Sequence, residues 1–317
     1  MIPIILDVDT GVDDALALGL ALTARELSVM AVTTVAGNVD LEQTTRNSRR
    51  VLDWLGAAAV PVAAGASRPL LRPHSDARPS HGPDGLGGAS LPTRQSGPIL
   101  DATAPEVIVR TARRYAGRLR VVCLGPLTNV AMAVRLEPRL PVLIERLVVM
   151  GGAFAVSGNV TPVAEFNVWS DPEAASIVIE AGFDAVWVGL DVTTIIRLTR
   201  VEWERLARLP HATARLVYEV SRWAFEECRV ESYALHDPLA VAVAARPELV
   251  AGERARLAVM TSPEEKRGQT LYVPDTNATD VVATKVDAEA FLRLFRNSLG
   301  LADGNERVTA RSAVDAP

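Results

Sequence analysis

Short apolar runs alternate with stretches in which apolar residues recur every three to four positions, and this alternation fills the first two hundred residues of the 317-residue chain. Residues 2–6, 27–35, 60–64, 119–124, 147–150 and 185–190 read as buried strands, and residues 13–24, 41–56, 105–115, 127–136 and 172–181 as the helices between them. Strands separated by helical patterns form βαβ units. The expected fold is therefore α/β, a single domain with a mainly parallel, Rossmann-like central sheet flanked by helices. Several strands close on a polar or Gly-containing turn: Asp7, Gly37-Asn38, Gly125-Pro126, Gly151-Gly152 and Asp191. Ligands of open α/β sheets bind outside the carboxyl ends of the strands, so a site is expected at these turns.

Two segments interrupt the alternation. Residues 65–98 are rich in Pro, Gly, Arg and His, carry no period, and include His81-Gly-Pro-Asp-Gly-Leu-Gly-Gly88. So long a loop in a compact domain reads as a cover over a functional site. Residues 201–246 read as mostly helical and deliver His236-Asp237-Pro238 ahead of another apolar helix. Beyond them, 255–260, 270–273 and 281–286 read as strands and 288–299 as a final helix. The domain is expected to span residues 1–301, with 302–317 a polar, disordered tail. There is no internal repeat, which removes solenoids from consideration.

A hydrophobic content of 49% supports one large core, and a formal net charge of −5 gives no basic field for nucleic acid. A small neutral ligand fits that balance better. Cys123 and Cys228 form no CxxC pair, so neither a disulfide framework nor a zinc ribbon is indicated, and a reducing cytoplasm is the expected setting. Met1 leads straight into an apolar strand pattern, so no signal peptide is expected. No apolar run reaches the roughly 18 residues that span a membrane.

The chemistry concentrates in Asp7-Val-Asp9-Thr-Gly-Val-Asp13-Asp14, which sets four carboxylates at one strand-to-helix turn. Capping the helix accounts for one or two of them, not four. Mutual repulsion there raises pKa values or recruits a cation, and hard oxygen donors without nearby Cys favour calcium or magnesium over zinc. Asp9 and Asp14 can face one ion across the turn, and Asp237 offers a third carboxylate at another helix start. The spacing excludes an EF-hand.

The opening acid motif is followed in order by Thr33-Thr-Val-Ala-Gly-Asn38, Leu124-Gly-Pro-Leu-Thr-Asn129, Met150-Gly-Gly152, Ala164-Glu-Phe-Asn167 and His236-Asp-Pro238. Together they resemble the inosine-uridine nucleoside hydrolase family, from about residue 2 to about residue 300. The resemblance implies hydrolysis of the N-glycosidic bond of ribonucleosides, with a calcium ion holding the ribose diol and a water. It implies Asp9, Asp14, Asp237 and the main-chain carbonyl of Leu124 as its ligands, a homodimer or homotetramer, and a role in nucleoside salvage. A His at 236 resembles the inosine-uridine type, whereas a Trp there suggests the purine-specific type.

Calcium lowers the pKa of bound water only weakly, so a carboxylate base is still needed, and Asp9 is the candidate. An oxocarbenium-like transition state develops positive charge, which suits Asp7, Asp13 and Glu165 as stabilisers or ribose acceptors. Asn159 and Asn167 can donate and accept at once toward ribose hydroxyls, and Asn38 is placed to orient the water or a ligand. His236 is the candidate to protonate the departing base, with His81 arriving from the long loop. Tyr233 and Arg229 are expected on the same helical segment as His236, bordering the leaving group.

Plainer readings stand beside these. Asp237 before Pro238 reads as an ordinary helix cap, Asp191 as a cap or a support behind the site, His74 and His211 as surface residues, and the Trp residues as core. A haloacid-dehalogenase-like phosphatase also opens with two Asp residues two apart, but Gly11 departs from its motif and no Lys precedes Lys266. A catalytically idle calcium- or ribose-binding protein of the same fold is the other alternative.

Overall fold

The computed structural model describes residues 1–92 and 96–301; the expected tail, 302–317, lies outside the described residues. Its strands are β1 (Ile2–Val8), β2 (Leu27–Thr34), β3 (Val62–Ala64), β4 (Leu119–Cys123), β5 (Ile144–Met150), β6 (Ala185–Val188), β7 (Arg197–Thr199), β8 (Ser232–Ala234), β9 (Val250–Val259), β10 (Thr270–Pro274) and β11 (Val281–Val286). Nine of them form one sheet in the order β10-β9-β11-β6-β5-β4-β1-β2-β3. Every pairing from β3 to β11 is parallel, while β9 and β10 add an antiparallel edge. The mainly parallel α/β expectation holds. The edge differs in extent: β9 begins at Val250, five residues before the expected strand, because its exposed half has no apolar alternation to read.

Both faces of the sheet are covered, which is why its central strands read as unbroken apolar runs. Ile4, Leu6 and Val8 of β1 point into one core with Val122, Val148 and Val186. Ile5 points into the other with Val121, Leu147, Val149 and Trp187. The helix Val12–Thr23 is buried from Val12 to Ala21 because helices surround it: His236–Ala245 and Ala212–Arg222 both pack on it. Gly19 makes the second contact possible, since a Cβ there would stand 2.8 Å from Thr213 Cγ2.

One expectation fails. Arg229, Tyr233 and His236 do not share a helix: helix Ala212–Arg222 passes into a π-helical turn at Trp223–Glu227, Arg229 takes φ 54°, Tyr233 lies on β8, and a new helix starts at His236. A three-residue strand exists only through its partner, here β7, so local periodicity carried no sign of it.

Leu16 has no exposed surface at the centre of the buried helix. Leu16→Ala is expected to lower unfolding free energy by about 2–5 kcal/mol, read by urea denaturation.

Candidate active site

The site assembles where two helix N-termini meet at the carboxyl end of the sheet. Asp9 follows β1, Asp13 and Asp14 occupy the first turn of helix Val12–Thr23, and Asp237 the first turn of helix His236–Ala245. The Asp14 carboxylate accepts from Gly11 N at 2.8 Å and Asp9 N at 3.2 Å, so Asp14 ties up the helix start. Thr10 instead pairs with Ser48, Oγ1 to Oγ at 2.6 Å. Asp237 does not cap its helix, which begins after Leu235; its backbone N donates to Asp13 Oδ2 at 3.2 Å and joins the two helix starts.

Glycines make room for the acids. Asp9 Oδ2 accepts from Asn38 N at 2.8 Å. A Cβ on Gly37 would strike that carboxylate, and one on Gly125 would meet it at 3.0 Å. Asp7 Oδ1 accepts from Thr33 Oγ1 at 2.6 Å and Asn129 Nδ2 at 2.8 Å. Asn129 also accepts from Ala66 N at 2.9 Å, tying β1 to the start of the long loop. Asp7 is fully buried and so engaged, which leaves it unsuited to the exposed nucleophile a phosphatase requires.

The opposite wall comes from the ends of β4 and β5. Asn167 Nδ2 donates to the Leu124 carbonyl at 2.7 Å and to that of Met150 at 3.1 Å. Glu165 caps helix Phe166–Ser170, accepting from Asn167 N at 2.9 Å and Val168 N at 3.2 Å, and also takes Gly152 N at 3.1 Å. Asn159 Oδ1 accepts from Phe166 N at 2.9 Å, which leaves its amide NH₂ for a ligand. Asp191 accepts from Phe154 N and Ala155 N, so it supports this wall from behind.

The long loop closes one side. It contains a helical turn, Arg78–His81, that sits against the π-helical turn through Trp223 Nε1 donating to Pro79 O at 3.2 Å. His81 Nδ1 accepts from Val12 N at 3.1 Å. His236 Nδ1 stands 2.7 Å from Thr193 Oγ1. His74 is no bystander, since its Nε2 meets the Gly37 carbonyl at 2.9 Å.

These walls enclose a cavity of about 300 Å³, within the size range of small-molecule sites. Asp13, Asn38, His81, Leu124, Asn159, Glu165, Asn167, His236 and Asp237 line it. Asp9, Asp14 and Tyr233 are not among the lining residues. Asp9 and Asp14 are 1% and 0% exposed, lying within the surrounding structure. Sequence reasoning passed over Asp76, Ser80, Val160 and Phe166, which also line the cavity, and Thr193 behind it. Phe166 lay inside a motif already singled out; the others carried no local signal.

Burial dominates the electrostatics. It raises Asp7 to about 7 against the hydrogen bonds from Thr33 and Asn129, and Asp14 to about 6 against backbone donors. Asp9 is raised by burial and then by Asp14, Asp13 by burial against the Asp237 N–H, and Asp237 by burial and then by Asp13, Asp14 and Asp9. Glu165 is raised by burial, and Tyr233 is pushed up by burial and the nearby acids. His81 falls to about 4 through burial and His236, and His236 to about 4 through burial and Arg197. Both imidazoles are therefore neutral at pH 7.

The acid cluster has the chemistry of a hard-cation site. Among the described residues, Asp7 Oδ2, Asp9 Oδ1 and Asp13 Oδ1 are buried oxygens with no hydrogen-bond partner. Among the described residues no three His, Cys, Asp or Glu side chains already stand as a closed metal-holding group. Asp14 and Asp13 are turned instead onto the backbone donors named above. The residue types fit a divalent cation.

A Rossmann-like sheet whose strand ends carry an acid-lined, amide-rimmed cavity defines an α/β enzyme acting on a small polyhydroxylated substrate. The chain belongs to the inosine-uridine preferring nucleoside hydrolase family, whose model matches residues 4–293. It is 38% identical over 307 residues to the pyrimidine-specific ribonucleoside hydrolase RihA of Shigella boydii serotype 4 (strain Sb227), covering 94% of this chain and 98% of that one. The RihA of Escherichia coli (strain K12) is 37% identical with the same coverage. Among solved structures, the purine-preferring ribonucleoside hydrolase from Gardnerella vaginalis superposes with a TM-score of 0.88 at 33% identity, over 94% of this chain and 98% of that one. The chain is accordingly a ribonucleoside hydrolase.

A carboxylate whose folded pKa is raised opposes folding above its unfolded pKa near 4, and the penalty grows until the folded pKa is passed. Asp237→Asn, in chelator, is therefore expected to raise the melting temperature by a margin that widens from pH 4 to pH 8. A margin that narrows with rising pH contradicts the charge-crowding account.

Proposed function

We propose that the chain hydrolyses the N-glycosidic bond of ribonucleosides in a calcium-dependent reaction, with pyrimidine ribonucleosides preferred. The observation that carries the reading is the buried acid cluster, with unpartnered oxygens on Asp9 and Asp13, beside a cavity edged by Asn159, Asn167 and two neutral imidazoles. Asp9, Asp14, Asp237 and the Leu124 carbonyl would hold the ion. Calcium, when bound, would offer the ribose hydroxyls a hard cation and modestly lower the pKa of a water.

The remaining steps belong to the chain. Asp9, ionised as a ligand of the cation, takes the water proton. Asn38, whose backbone N–H holds Asp9, fixes the direction of that carboxylate. Asp13 and Glu165 accept from ribose hydroxyls, and Asn159 and Asn167 complete the polar grip. As the glycosidic bond breaks, the ribosyl group gains positive charge beside these acids, which stabilise it more than they stabilise the neutral substrate. His236 is neutral, so it assists departure of the base as a hydrogen-bond donor rather than as an imidazolium. His81, on the covering loop, sits opposite it and helps exclude water. Tyr233 lies close enough to Asp13 and Asp237 to feel their charge.

The pyrimidine preference rests on His236 and on relatives at 37–38% identity that are named pyrimidine-specific. Assembly as a homodimer or homotetramer is part of the same proposal, as are the cytoplasmic setting and the salvage role. Among the described residues no helix is long and apolar enough to cross a membrane.

Incubation with uridine, cytidine, inosine and adenosine, followed by reducing-sugar assay, is expected to show ribose release that chelation abolishes and calcium restores. Release unaffected by thorough chelation removes the metal from the reading, and no release with calcium bound returns the chain to an idle binder. Asp9→Asn is expected to lower kcat by at least about 10²-fold. Deoxyuridine should be cleaved about 10³-fold or more slowly than uridine, because its missing hydroxyl leaves buried polar groups unpaired; equal rates would exclude diol binding.

A further inference from the structure

We propose that Thr193 is a positioning residue that fixes His236 in the tautomer with its proton on Nε2, so that the ring meets the leaving base as a donor. The inference rests on the hydrolase reading for its consequence, but not for its structural claim. Thr193 closes the short helix Leu190–Thr193 directly after β6, and it is fully buried. Its Oγ1 lies 2.7 Å from His236 Nδ1, and it has no other side-chain hydrogen bond among the described residues.

Two arrangements share that distance. If Nδ1 carried the proton, the hydroxyl would accept it, and the hydroxyl hydrogen would be left buried without an acceptor. Leaving such an orphan buried costs more than the hydrogen bond returns. If the hydroxyl donates to Nδ1, both groups are satisfied and the ring proton sits on Nε2. The second arrangement wins. The neighbouring Thr194 shows the contrast, since its hydroxyl spends its hydrogen on the Leu190 carbonyl at 2.7 Å. The ring stays in place because its own helix start is fastened elsewhere: the next residue's N–H donates to Asp13, and the preceding Leu235 N donates to the Ile196 carbonyl at 3.0 Å. With Nδ1 occupied, Nε2–H is the ring's remaining polar edge, and His236 lines the cavity.

The test is nitrogen-15 NMR of histidine-labelled protein at neutral pH, with His236→Gln used to assign one of the four histidines. Wild type is expected to show His236 protonated at Nε2 and unprotonated at Nδ1; protonation at Nδ1 overturns the proposal without any variant having to fold. Thr193→Val keeps the side-chain shape, removes the donor, and should move His236 toward the Nδ1–H form, while Thr193→Ser should restore the wild-type pattern. An unchanged spectrum in Thr193→Val overturns it too. In turnover, Thr193→Val should lower kcat on uridine about 10- to 100-fold, as loss of leaving-group assistance does. KM should stay within about threefold, and p-nitrophenyl riboside, whose leaving group needs no donor, should be hydrolysed at nearly the wild-type rate. Equal loss on both substrates assigns Thr193 a purely structural role. If wild type hydrolyses no ribonucleoside, the hydrolase reading fails while the NMR result still decides the tautomer.

Discussion

Six buried carboxyl groups share one end of the sheet, and among the described residues no Lys or Arg lines the cavity beside them. Asp7, Asp9, Asp13, Asp14, Glu165 and Asp237 must therefore be tolerated by means other than ion pairing. Two helix N-termini supply about half a positive charge each, and backbone N–H groups supply the hydrogen bonds. That offsets one or two ionised acids at most. The remainder stay protonated or await a cation, which is the direction in which every one of their pKa values moves. A site this short of positive charge is suited to a bound divalent ion, and equally to a reaction whose transition state becomes cationic.

The architecture serves that constraint. Helix Val12–Thr23 is apolar around nearly its whole circumference, so it can lie under other helices and still bring two buried acids to its first turn. Gly19 lets helix Ala212–Arg222 approach it, and Gly37 and Gly125 leave space for Asp9. On the other side, Arg72 anchors the first part of the long loop through Glu173 at 2.9 Å and the Thr261 carbonyl at 2.6 Å. Asn47 holds the later part through the Asp84 carbonyl at 2.8 Å. The cover is thus fastened to the scaffold at both ends, with its His81 turn resting on the helix that carries the acids.

What could be read from the sequence was whatever is encoded locally. The parallel strands were legible because both faces are buried, and the acid turn because four carboxylates in eight residues have no structural use. The family motifs brought Asp237, Asn167 and Glu165 to the same place. The rest depends on distant partners. Tyr233 belongs to a strand that exists only against β7, and Asp9 and Asp14 lie deeper than a first contact with substrate would suggest. His74 gains its role from the Gly37 carbonyl, and Thr193 from a ring 43 positions away. No window of sequence contains both members of such pairs.

The neutral state of the two imidazoles follows from a contest between Coulomb attraction and burial. Six acids nearby favour imidazolium, yet burial raises the pKa of every one of those acids and acts directly on the rings in the opposite sense. Arg197 adds its repulsion at His236. A neutral His236 with its proton on Nε2 can then donate toward the departing base without placing a second cation beside the forming oxocarbenium ion. On the proposed mechanism, leaving-group assistance and ribosyl stabilisation draw on different charges, the first on an oriented N–H and the second on the acids.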